Sequence, residues 1–99
     1  MRLTHRDAWR TYAGGCAAAS DRYSYDVDTT VGRYFITPRS DPHNVERHRG
    51  YLVQFANTAG ALQGGLWQTL HPLTTLPAAR RLCQRHMVAH GGAIVYRRS

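Results

Sequence analysis

The groups in this 99-residue chain with most to offer a ligand are its thirteen basic side chains, every one an arginine. A guanidinium carries planar, paired N–H donors that grip a phosphate two at a time, which a lysine ammonium cannot do. The six acids are Asp7, Asp21, Asp26, Asp28, Asp41 and Glu46, so residues 1–46 balance six arginines against six acids. Residues 47–99 hold the other seven, Arg47, Arg49, Arg80, Arg81, Arg85, Arg97 and Arg98, with no acid, and the whole formal net charge of +7 lies there. Those seven are the expected phosphate contacts of a small basic nucleic-acid-binding protein, with DNA ahead of RNA and no base-reading role assigned. Arginine, tyrosine and tryptophan also dominate protein interfaces, so an acidic protein partner is the alternative.

Other chemistry has less support. Cys83, His86 and His90 share one face of a helix, as zinc ligands would, but a structural site takes four ligands and no C-x-x-C pair is present. A packed histidine beside a buried thiol accounts for the same residues, and neither metal nor cofactor is expected. Asp26-Val27-Asp28 is the one paired-carboxylate candidate, and beside tyrosines on a strand it reads as a solvated edge. The glycines of 60–65 follow a strand but precede another strand, which excludes a P-loop or dinucleotide fingerprint. No residue is assigned a catalytic role, and the chain is read as a non-enzyme.

The elements that must position these arginines are legible from periodicity. Tyr23, Tyr25 and Val27 alternate with polar residues, Thr29 to Gly32 supplies a turn, and Tyr34 to Thr37 forms a second strand stopped by Pro38. Pro38 and Pro42 bracket an irregular loop through Arg49. Gly50 to Asn57 and Leu66 to Leu70 read as an antiparallel pair. After His71-Pro72 comes the principal helix, about 75–90, capped by Thr74 or Thr75, with Pro77 in its first turn and Gly91-Gly92 at its end. One helix face carries Ala79, Leu82, Cys83, His86 and His90, the other Arg80, Arg81, Gln84 and Arg85. Ala93 to Arg98 reads as a terminal strand. At the N-terminus, Thr4 with Asp7 resembles a capping box, and Ala8, Trp9, Tyr12 and Ala13 suit a short helix. Residues 1–20 are a helical or mobile extension, and Trp9 is the expected docking residue if they are ordered.

The sum is a single α+β domain over 1–99, a mostly antiparallel sheet of 4–5 strands packed on one main helix. About two-fifths of the residues are apolar, which excludes a disordered composition. No run reaches the roughly 20 apolar residues of a membrane span, and no signal-peptide core precedes the domain, so a cytoplasmic protein without membrane contact is expected. Cys16 and Cys83 fit free thiols. Exposed sheet edges leave a homodimer open.

Two resemblances follow from these residues. The strand 50–57, the Trp67 strand, Thr75 and the helix opening Ala78-Ala79 resemble the three-stranded-sheet-plus-helix DNA-binding domains of plant ethylene-response factors and of tyrosine-recombinase arm-binding domains, over about forty residues. That resemblance implies DNA binding. The runs Tyr34-Phe35-Ile36-Thr37-Pro38 and Gly50-Tyr51-Leu52-Val53, a helix and a last strand are similar to small bacterial and phage domains of β-β-β-α-β order, among them phage-encoded inhibitors of host defence. This second resemblance covers more of the chain and implies the architecture but no fixed activity.

Overall fold

The computed structural model describes residues 2–13, 23–57 and 67–95, with the side chains of Ala13, Val45 and Glu46 left aside. Five strands, β1 (Arg10–Ala13), β2 (Tyr23–Thr29), β3 (Gly32–Asp41), β4 (Asn44–Asn57) and β5 (Gln68–Thr74), form one antiparallel sheet in sequence order. Helix α1 (Leu76–Ala89) covers one face. This is the α+β architecture that the alternating strands and the single amphipathic helix predict.

Register explains which face is covered. Val27, Tyr34 and Phe55 stand opposite one another across β2, β3 and β4, and Tyr25, Ile36 and Val53 form the adjacent row. All six are buried and pack with Ala79, Cys83 and Met87 of α1. Alternate residues point the other way, so Arg10, Asp26, Phe35, Gln54 and Thr69 share the opposite face. The β2–β3 turn depends on Gly32, whose φ of +149° is rare for L side chains. A Cβ there would lie 2.2 Å from the Ala56 carbonyl oxygen. The buried Thr29 hydroxyl donates to the Gly32 carbonyl and accepts from the Gly32 amide, closing the turn.

α1 starts and stops where its punctuation predicts. Thr75 is the N-cap, accepting from the Ala78 amide at 3.4 Å, Pro77 lies in the first turn where no N–H is needed, and Gly91 takes a φ of +70° just past the end.

Four expectations need correction. Residues 10–13 are strand, not helix: they pair with Tyr23–Asp26, and only a three-residue 3-10 turn, Arg6–Ala8, precedes them, with no side-chain cap. Long-range pairing outweighs a helical pattern only one turn long. The expected loop 39–49 is instead the far end of the β3–β4 hairpin. Pro38 lies past the last described β2–β3 pair, Tyr25 with Ile36, so none of the described β2–β3 pairings calls on its missing donor. Pro42 sits in the turn itself, where the Asp41 carboxylate accepts from the His43 amide at 2.8 Å. β5 runs through His71-Pro72 to Thr74, because among the described strands it is an edge that needs partners on one side only.

The last correction concerns the tail, which forms one bridge, Ile94 with Thr29, rather than a full strand. Hydrogen bonds from the Thr30 amide to the Ala93 carbonyl and from the Val95 amide to the Asp28 carbonyl hold it along β2. Tyr96 to Ser99 lie outside the described residues, as do Cys16 and the expected strand start at Leu66.

Trp9 is the docking residue its type predicts. It is 6% exposed, and its indole Nε1 donates to the Leu3 carbonyl at 2.7 Å. The Leu3 amide in turn donates to Gln84 Oε1 of α1 at 2.7 Å, so the N-terminal segment is tied against the helix.

Candidate nucleic-acid interface

The arginines divide into three groups by what surrounds them. Arg10 and Arg33, on the face away from α1, are committed to acids: Arg10 Nε to Asp26 at 2.6 Å, Arg10 Nη2 to Asp28 at 3.0 Å and Arg33 Nε to Asp28 at 2.7 Å. Tyr12 adds its hydroxyl to Asp26. The hydrogen bond to Asp26 holds Arg10 above its ordinary pKa, against a smaller opposing effect of burial. Burial works to raise Asp28, but the Arg33 hydrogen bond and the charges of Arg10 and Arg33 outweigh it, leaving the carboxyl below its usual range. Asp26 is 4% exposed, so the solvated acidic edge expected for Asp26-Val27-Asp28 is instead an ion-pair network on an interior strand.

Arg80 forms a second group by itself. It is half-buried, with its guanidinium 5.2 Å from the Tyr25 ring centroid and its Nε enclosed without a hydrogen-bond partner among the described residues. Stacking on the ring gives it a packing role beside any contact it makes with a ligand.

The third group is exposed. Arg81 and Arg85, one helical turn apart, occupy the outward side of α1, and no acidic residue stands in that helix. Arg47 and Arg49 are exposed on β4 beyond the five-stranded body. That part of β4 leaves the sheet beside the start of α1. A shallow cleft of about 430 Å³ between the two is lined by His48, Arg49, Tyr51, Leu73, Thr75 and Leu76 among others. Gly50 turns the chain there with a φ of +144°, and a Cβ would meet the Thr74 carbonyl at 2.9 Å. Arg97 and Arg98 lie outside the described residues.

Of the seven expected arginines the structure therefore places two as an exposed pair on α1 and two as an exposed pair on β4, with Arg49 of the strand pair lining the cleft. It also exposes arginines outside the expected seven. Arg2 and Arg6 are exposed on the segment that Leu3 and Trp9 dock beside α1, and Arg39 is exposed on β3 facing the Arg49 bulge. Only the Trp9 anchor signalled the first of these, because proximity to α1 depends on a contact 81 residues distant in sequence. The aromatic residues Tyr51, Phe55 and Trp67, which could have offered a shared stacking face, separate, and Tyr96 lies outside the described residues. Phe55 belongs to the core and Tyr51 packs against it, while Trp67 is 41% exposed on the other face, edge-on to Phe35 at 5.9 Å.

The zinc-like triad is pulled apart by the same packing. Cys83 is fully buried, and burial pushes its thiol up to about 12. His86 Nδ1 shares a hydrogen bond with the Tyr34 hydroxyl at 2.7 Å, and its ring lies 4.4 Å from that of His90. Among the described residues no three His, Cys, Asp or Glu side chains converge on a metal position. Nor is any helix among them long and apolar enough to cross a membrane.

The histidine pair sets a pH dependence. Burial, and then the neighbouring His90, hold His86 below its ordinary pKa, while Tyr34 is raised by burial and then by Cys83. A histidine whose folded pKa is depressed is protonated more readily in the unfolded chain. Its contribution is therefore complete above about pH 6.5 and is lost as pH falls through the folded value. Thermal melts between about pH 7.5 and 5.5 are expected to show a falling midpoint, with a shallower fall in His86→Asn. An equal fall in both proteins would remove His86 as the cause.

Compared with protein-family models, curated proteins and solved structures, the chain matches none.

Proposed function

We propose that this protein binds nucleic acid, DNA in preference to RNA, through arginine–phosphate contacts. The observation that carries the reading is the separation of its charges. The described ion pairs of Asp26 and Asp28 engage Arg10 and Arg33 on one face, while Arg81 and Arg85 stand exposed on an acid-free helix and Arg47 and Arg49 on a protruding strand. Positive groups held at fixed positions by a folded scaffold displace condensed counterions from a polyanion, which gives affinity without sequence preference. Arg80, Arg97 and Arg98 complete the candidate set, Arg80 with its stack on Tyr25 as a constraint.

With about four phosphates neutralised, binding to a short duplex weakens roughly a hundredfold between about 50 and 200 mM salt. Fluorescence anisotropy measures this directly. Binding that ignores salt, or no binding at the lowest salt, overturns the reading.

A second reading draws support from the opposite face, where Trp67, Phe35 and the exposed Tyr12 resemble the aromatic anchors of a protein interface. On that reading an acidic protein is the partner, retained after nuclease treatment and lost with Trp67→Ala. Nucleic-acid affinity unchanged by Trp67→Ala supports the first reading.

A further inference from the structure

We infer that the far end of the β3–β4 hairpin is an arm that enters the major groove of B-form duplex DNA; the inference rests on the nucleic-acid reading above. β2 stops pairing with β3 at Tyr25 and Ile36, and β5 stops pairing with β4 at Thr74 and Tyr51. Beyond those points, Arg39–Asp41 and Asn44–Gly50 have only each other as described strand partners. Among the described residues the sheet thus narrows from five strands to a two-stranded ribbon closed by the Pro42-His43 turn.

The ribbon has the dimensions of the groove. Its strands lie about 5 Å apart, and three residues of β3 extend it by roughly 10 Å. The major groove of B-DNA is about 12 Å wide and about 8.5 Å deep and admits a two-stranded ribbon, whereas the minor groove is about half as wide. The deep, narrow major groove of A-form RNA does not accept such an element.

The charges are arranged for the groove walls. Arg39, Arg47 and Arg49 are exposed along the ribbon, and Asp41, one of its two acids, is occupied in closing the turn. Register shifts fall on both sides of Ser40. Arg39 pairs with Gly50 and Ser40 with His48, so Arg49 is an extra residue; Asp41 then pairs with Asn44, so Val45, Glu46 and Arg47 together have no β3 residue opposite them. Arg47 and Arg49 thus lie outside the paired ladder and are exposed, Arg49 beside the cleft at the start of α1, which leaves both guanidinium groups available to phosphates on the ribbon's flanks. Gly50 provides the joint at the base, passing close to the Thr74 carbonyl where a side chain would not fit.

The test compares a DNA and an RNA duplex of equal length and sequence at one salt concentration, with the full chain. DNA is expected to bind at least about tenfold more tightly, and Arg47→Ala/Arg49→Ala to lower DNA affinity while leaving RNA affinity nearly unchanged. On the unaltered protein, the major-groove ligand methyl green displaces it and the minor-groove ligand netropsin does not. Salt-dependent binding that is equal for the two duplexes, or that yields to netropsin alone, overturns the arm while leaving the nucleic-acid reading standing. No salt-dependent binding to either duplex overturns both.

Discussion

Replacing Trp9 with alanine is expected to destabilise the fold by about 3–5 kcal/mol, a large share of the roughly 5–15 kcal/mol available to a domain of this size. Three losses combine. The indole leaves a cavity next to Leu3, the Leu3 carbonyl loses the Nε1 donor at 2.7 Å, and the segment that reaches Gln84 is released from α1. In thermal unfolding this lowers the midpoint by at least about 12 °C. Trp67→Ala is the control, because that ring is 41% exposed and makes one described aromatic contact, with Phe35. Its expected cost is about 1–2 kcal/mol. Equal costs for the two tryptophans would show that the N-terminal segment is not part of the packed structure.

The second large effect concerns affinity. Reversing Arg47, Arg49, Arg81 and Arg85 together to glutamate is expected to weaken duplex DNA binding by at least about a thousandfold near 0.1 M salt, since each phosphate contact contributes close to a factor of ten there. All four are exposed. On the helix, glutamate is nearly as good a helix former as arginine, so the fold survives the change. Arg80 is left in place because removing it would also remove the stack on Tyr25 and confuse lost packing with lost charge. Near-parental affinity in the fourfold variant, with an unchanged melting midpoint, would exclude these arginines as the interface.

What the sequence made legible was local. The β2–β3 hairpin could be read because Tyr25 and Val27 alternate with acids and Gly32 closes a short turn. α1 could be read because Thr75, Pro77 and Gly91 mark its ends. What stayed hidden depended on distant partners. β1 is only four residues long, and nothing inside Arg10–Ala13 announces that Tyr23–Asp26 lies opposite. Two prolines suggested a loop at 39–49, and only the position of each in its ladder shows that neither interrupts a needed hydrogen bond. The arginine site shows the same limit. Exposure of Arg81 and Arg85 follows from helical period, but the capture of Arg80 by Tyr25 and of Arg10 and Arg33 by Asp26 and Asp28 is tertiary.

The central claim is that exposed arginines on α1 and the β3–β4 arm meet phosphates, and the slope of log affinity against log salt counts those contacts. For the parent protein on duplex DNA the expected slope is about −3.6, falling in magnitude by about 0.9 for each of Arg47, Arg49, Arg81 and Arg85 changed to alanine. A parent slope near zero, or a slope that none of the four substitutions changes, would contradict it.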